Sequence, residues 1–149
     1  INGFGAGKFD SWWKYEVASD TGTSFIGAPR VVTDKIARAV GATVWHNTTC
    51  NAQIISYYHL YLGLFRLYHI HCNAKPSPIV IYIGGKPYPI DYKNYIVEVS
   101  PKLCVIAFFS INTGGNNPAW LLGDPFIRQY CHIHDLEQKR IGFAKSIAK

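Results

Sequence analysis

Ser19-Asp20-Thr21-Gly22-Thr23-Ser24-Phe25-Ile26-Gly27-Ala28-Pro29 sets a carboxylate, four hydroxyls and a glycine in front of an apolar exit. Small residues around a central glycine imply a tight loop. The approach, Trp12 to Ser19, is mixed and β-prone, so the loop follows a strand. A carboxylate in such a turn lies within reach of backbone N–H groups and neighbouring hydroxyls, and those donors favour its ionised form. Asp20-Thr21-Gly22 alone equally suits an ordinary surface turn, so its meaning depends on what surrounds it.

Downstream, Pro29 suits the first turn of a helix. Val31, Val32, Ile36, Ala39 and Val40 recur at roughly helical spacing, and Gly41 is placed to stop the helix. From Pro78 the pattern changes. Ile79 to Ile83 is a strongly β-forming run, Gly84-Gly85 is a hairpin turn signal, and Lys86 to Ile90 returns. Cys104 to Phe109 reads as one buried strand. Asn112 to Pro118 is a Gly/Asn-rich loop, Trp120 to Gly123 is apolar, and Phe126 to Tyr130 suits a helical turn. Ile133, Ile141 and Phe143 mark a closing hairpin across the polar turn Asp135 to Lys139. The expected class is mostly β with one or two short helices, without a domain boundary or an internal repeat.

Composition narrows the function classes. A chain of 149 residues that is 48% hydrophobic and only 16% charged suits one packed domain rather than a disordered tail. The net charge of +6 is spread along the sequence and forms no dense basic arm, which argues against nucleic acid as a partner. No run reaches the roughly 18 apolar residues of a membrane helix, so a membrane partner is not expected. The chain contains no Met and starts at Ile1 without the basic and apolar regions of a signal peptide. The expectation is a piece of a longer precursor. Cys50, Cys72, Cys104 and Cys131 fit no C-x-x-C metal pattern, and an even count permits two disulfides in three pairings. With the sequon Asn47-Thr48-Thr49, a glycosylation candidate, they favour an oxidising compartment.

Four blocks together carry a resemblance. Residues 19–29 resemble the second active-site loop of pepsin-like aspartic proteases. Ile83-Gly84-Gly85-Lys86-Pro87-Tyr88-Pro89-Ile90 is similar to a hairpin of that family. Trp120 to Tyr130 resembles its W-hydrophobic-L-G-D-x-F-hydrophobic-R-x-Y block, and Asp135 with Arg140-Ile141-Gly142-Phe143-Ala144 resembles its closing hairpin. The order is that of the family, and the blocks span nearly the whole chain. The resemblance implies a pepsin-like acid-protease lobe, the C-terminal one of a bilobal fold, over residues 1–149.

It also implies roles. Asp20 is the catalytic aspartate. Thr21 faces the other lobe, Gly22 and Thr23 hold the Asp20 carboxylate, and Thr23 and Ser24 reach toward substrate backbone. Leu121, Leu122 and Gly123 thread behind the loop, with core packing as the main task of the two leucines. Asp124 is a structural acid, and Cys72 pairs with Cys104. No metal and no cofactor are implied.

Such chemistry needs two aspartates sharing a proton. The sequence holds a single Asp-Thr-Gly. The implied function is therefore an endopeptidase lobe that acts on peptide substrates only with an N-terminal protease lobe as partner, in an extracellular or lysosomal setting. Two rivals stand beside it: a truncated non-catalytic binding domain, and a self-assembling protease in which two copies of Asp20 meet.

One stretch departs from the family. Residues 50–67, with the aromatic run Tyr57 to Phe65, read as an inserted hairpin or as an artefact of gene assembly. Cys131 pairs with Cys50, or both are free. His69 and His71 beside Cys72, and His132 and His134 beside Cys131, alternate as metal ligands on a strand would, yet surface or strand-filling histidines are the expected reading.

Overall fold

The computed structural model describes residues 1–44, 67–112 and 118–147. Asn47, Cys50 and all of the 50–67 stretch except Leu67 lie outside the described residues, as does most of the Gly/Asn-rich loop.

The expected mostly-β class is present, and the described residues form three four-stranded sheets and a two-stranded ribbon. The first sheet has the order β2 (Phe9–Ser11), β1 (Gly3–Ala6), β7 (Ile79–Ile83), β8 (Lys86–Ile90). The second runs β5 (Thr43–Val44), β6 (Tyr68–Ile70), β10 (Leu103–Ile106), β9 (Ile96–Ser100). The third runs β11 (Phe108–Ile111), β4 (Ile26–Pro29), β12 (Trp120–Leu122), β3 (Val17–Ser19). β13 (Tyr130–Asp135) and β14 (Arg140–Lys145) form the ribbon. Three helices complete the described elements: α1 (Arg30–Ala39), α2 (Tyr92–Tyr95) and α3 (Asp124–Gln129). The short α2 falls outside the expected helices.

Local chemistry explains the elements that sequence periodicity marks. In β7, Ile79 and Ile81 are buried while Val80 and Tyr82 are half-buried, the period-2 pattern of a strand. Gly84 and Gly85 both have positive φ, +58° and +77°, as a two-residue hairpin turn of the favoured hand requires. β8 tolerates Pro87 and Pro89 because it is an edge strand, where a missing N–H costs no ladder bond on its open side. Helix α1 starts one residue later than expected, with Pro29 ending β4 as its N-cap. It ends in a Schellman motif: Gly41, at φ +78°, donates to the Arg38 carbonyl and Ala42 donates to that of Ala37. The face it buries is Val32, Thr33, Ile36 and Ala37; Val31 and Ala39 are exposed, against the expected apolar set.

Two expectations are corrected. Cys104 to Phe109 is not one strand. Ala107 breaks it, donating to the Tyr95 carbonyl at 2.6 Å and accepting from the Ile26 N–H at 2.9 Å, so the chain leaves one sheet and enters another. Of Trp12 to Ser19, only Val17–Ser19 is strand, and Trp12 and Trp13 are exposed.

The sheets share one core. Phe4, Ile26, Ile36, Ile79, Ile106, Phe108, Trp120, Leu122 and Phe126 belong to a single buried cluster. Cys72 and Cys104 form the implied disulfide, with Cα atoms 5.1 Å apart. Cys131 is a free, exposed thiol.

Candidate active site

The loop carrying Asp20 is built by the third sheet. β3 leads into it and β4 leads out, yet the two strands are not neighbours: β12 lies between them, parallel to β3 and antiparallel to β4. The loop therefore arches over the C-terminal end of β12. Three backbone contacts seat it. Asp20 N–H donates to the Leu122 carbonyl at 3.1 Å, Asp124 N–H donates to the Thr23 carbonyl at 3.0 Å, and Ile26 N–H reaches Ala107.

Gly123 sits beneath the arch. A Cβ there would stand 2.1 Å from the Thr23 carbonyl oxygen and 2.2 Å from that of Phe25. No side chain fits that gap, so glycine is required by close approach rather than by φ. Leu122 is buried and Leu121 half-buried beside Gly27, so both leucines pack as the resemblance implies. Trp120 anchors the strand from below, with its ring centre 5.6 Å from that of Phe4 and 6.1 Å from that of Tyr15.

Above this platform each oxygen of the Asp20 carboxylate receives one donor. Gly22 N–H donates to Oδ1 at 2.9 Å, and the Thr23 hydroxyl donates to Oδ2. Both bonds favour the charged form, and the Thr23 bond followed by the Gly22 bond holds the Asp20 carboxyl below the usual carboxylate range. Gly22 is also sterically tight, since a Cβ would come 3.3 Å from Asp20 Oδ1. Thr21 and Ser24 are exposed on the loop. The structure thus brings together Asp20, Gly22, Thr23, Leu121, Leu122 and Gly123. Asp124 contributes its backbone to the loop, while its carboxylate pairs with Arg128 at 3.4 Å on the next turn of α3.

One neighbour escapes sequence reasoning. Ser19 Oγ lies 2.6 Å from His132 Nδ1, across 113 positions of sequence. The only available signal was the alternation of His132 and His134 on β13, which marks a strand face but not its target.

A carboxylate with a donor on each oxygen stands on an arched loop, with exposed hydroxyls beside it and a strand threaded between the loop's own two strands. The family model of eukaryotic aspartyl proteases matches residues 6–146. Aspartic protease 6 of Caenorhabditis elegans is 42% identical over 147 residues, covering 99% of this chain and 33% of that protein. Aspartic protease 2 of Necator americanus is 39% identical over 144 residues, covering 97% of this chain and 29% of that protein. Cathepsin D of Chionodraco hamatus is 29% identical over 137 residues, covering 88% of this chain and 30% of that protein. The chain belongs to the eukaryotic aspartyl protease family, and it spans about a third of the length of these relatives.

Proposed function

We propose that this chain is the C-terminal lobe of an aspartic endopeptidase and that Asp20 is one of its two catalytic carboxylates. The observation that carries the reading is the arched loop seated on Gly123, with one donor on each Asp20 oxygen. The second carboxylate comes from an N-terminal protease lobe. Once paired, the two aspartates share a proton, because like charges at close range resist double ionisation. One then acts as base toward the attacking water and the other as acid toward the peptide carbonyl oxygen. The titration belongs to the pair rather than to either residue.

The remaining site residues take roles by position. Thr21, exposed at the crest, meets the other lobe. Thr23 holds Asp20 and, with exposed Ser24, meets substrate backbone. Peptides bind between the lobes. The Cys72–Cys104 disulfide supports an oxidising compartment, extracellular or lysosomal, and Asn47 is a glycan acceptor there. Residues 50–67 are an insertion in the lobe or an artefact of gene assembly; a matching peptide in the mass spectrum of the native protein decides.

Alone, the chain has one Asp-Thr-Gly and is inactive. The test compares the chain by itself with the chain joined to an N-terminal lobe bearing its own Asp-Thr-Gly. The joined protein is expected to hydrolyse peptides at acid pH, to be blocked by pepstatin, and to lose at least about a hundredfold in kcat on Asp20→Asn. Hydrolysis by the chain alone, lost in Asp20→Asn, would instead establish self-assembly. A correctly folded joined protein without activity would leave a binding domain.

A further inference from the structure

The C-terminal ribbon makes a contact that the reading of Asp20 does not use. His132 projects from β13 with its ring edge-on to Phe126, 5.4 Å between ring centres, and to its cross-strand partner Phe143, 4.9 Å. Its Nδ1 meets the hydroxyl of Ser19, the residue that hands the chain from β3 to Asp20. Its Nε2 is buried and has no hydrogen-bond partner among the described residues. This slot suits a neutral imidazole, which satisfies one nitrogen with a hydroxyl able to donate or accept. An imidazolium would bury a charge among aromatic rings and leave an N–H unpaired.

We propose that neutral His132 is a positioning residue for the Asp20 loop: through the Ser19 hydroxyl it fixes the end of β3, and protonation of the imidazole releases that hold. For proteolysis, this rests on Asp20 being catalytic; the coupling itself does not.

Among the described residues, the carboxylates on the surrounding elements are engaged elsewhere. α3 carries Asp124 and Arg128, which pair with each other at 3.4 Å. β14 carries Arg140, paired with Asp135 at 2.8 Å, and Lys145. β8, whose Tyr88 packs on Phe126 and Phe143, carries Lys86 at its far end. β13 itself adds Cys131 and His134. Beyond Ser19, β3 leads to Asp20, whose carboxylate is occupied by Gly22 and Thr23.

Burial first, and His134 second, hold the His132 imidazole below its ordinary range. Between that lowered value and the ordinary one near 6.5, the unfolded chain binds more protons than the folded one. The stabilisation is therefore complete above about pH 6.5 and is lost as pH falls through the folded midpoint. Acidification thus loosens the loop's rear attachment while leaving its front, the Asp20 donors, in place.

NMR titration of the chain tests this without any assay of activity. The His132 ring signals should titrate with a midpoint below about 6.5, and the amides of Ser19 to Thr23 should shift with that same midpoint. In Ser19→Ala the loop amides should no longer follow it. In His132→Phe, which keeps the ring packing, they should stay flat between about pH 7 and pH 5. Loop amides that ignore the His132 midpoint, that follow it equally in Ser19→Ala, or that vanish with every other native signal would overturn the proposal. Should Ser19→Ala not fold, His132→Phe decides alone. Failure of the catalytic reading shows elsewhere, as an Asp20→Asn joined enzyme that keeps its activity.

Discussion

The Asp20 arch and the β13–β14 ribbon both belong to sequence blocks typical of the family, yet they are held in opposite ways. The arch is fixed from beneath by backbone: β12 between β3 and β4, carbonyls pressed on Gly123, and Leu122 and Trp120 sealed in the core. The ribbon is a six-pair ladder whose side chains largely face water, with Ile133 58% and Leu136 86% exposed. Its turn is closed by side chains, Asp135 accepting from Gln138 N–H and Arg140 Nε. A carboxylate that must stand at one point in space needs the first kind of support. A surface ribbon needs only the second. His132 is the place where the two regions touch.

The contrast predicts unequal tolerance to the same substitution. Gly123→Ala drives a methyl into two carbonyl oxygens that backbone geometry fixes, and should destabilise the chain by more than about 3 kcal/mol or prevent folding. Gly142→Ala in β14 meets nothing nearer than 3.8 Å, and should stay within about 0.5 kcal/mol. Urea unfolding of both variants checks the pair, and similar losses would erase the distinction.

The disulfide acts through the unfolded chain and belongs to neither region. Cys72 and Cys104 close a separation of 32 residues, and loop-closure entropy puts the loss on Cys72→Ser with Cys104→Ser at about 3–4 kcal/mol. The ribbon and arch should both survive with unchanged local chemical shifts at low urea. Selective loss of the arch would show that it depends on this tie.

Much of this architecture was legible in the sequence, for local reasons. The Ile79–Ile90 hairpin announces itself by alternation and paired glycines. Helix α1 announces its end by Gly41. The threading of Leu121 to Gly123 behind Asp20 came only through family resemblance, since no local pattern relates positions a hundred residues apart. Three of the features that stayed hidden show why. The β1–β2 hairpin has few large apolar residues and is made by packing, with Phe4 against Trp120 and Gly5 giving room to Asp10. The break at Ala107 falls inside an unpunctuated apolar run, because it is imposed by Tyr95 and Ile26 from other elements. The Ser19–His132 bond is likewise tertiary, and alternating histidines suit a solvated strand equally well.

The ionisation of the Asp20 carboxyl tests the site most directly. Because its folded value is lowered, the stabilisation it contributes is full above the ordinary value near 3.9 and fades as pH falls through the folded midpoint. Carboxyl-detected NMR titration of the chain should place that midpoint below 3.9, and Thr23→Val should raise it by removing the stronger of the two donors. A midpoint at or above the ordinary value, unmoved in Thr23→Val, would mean that the loop does not hold Asp20 for catalysis.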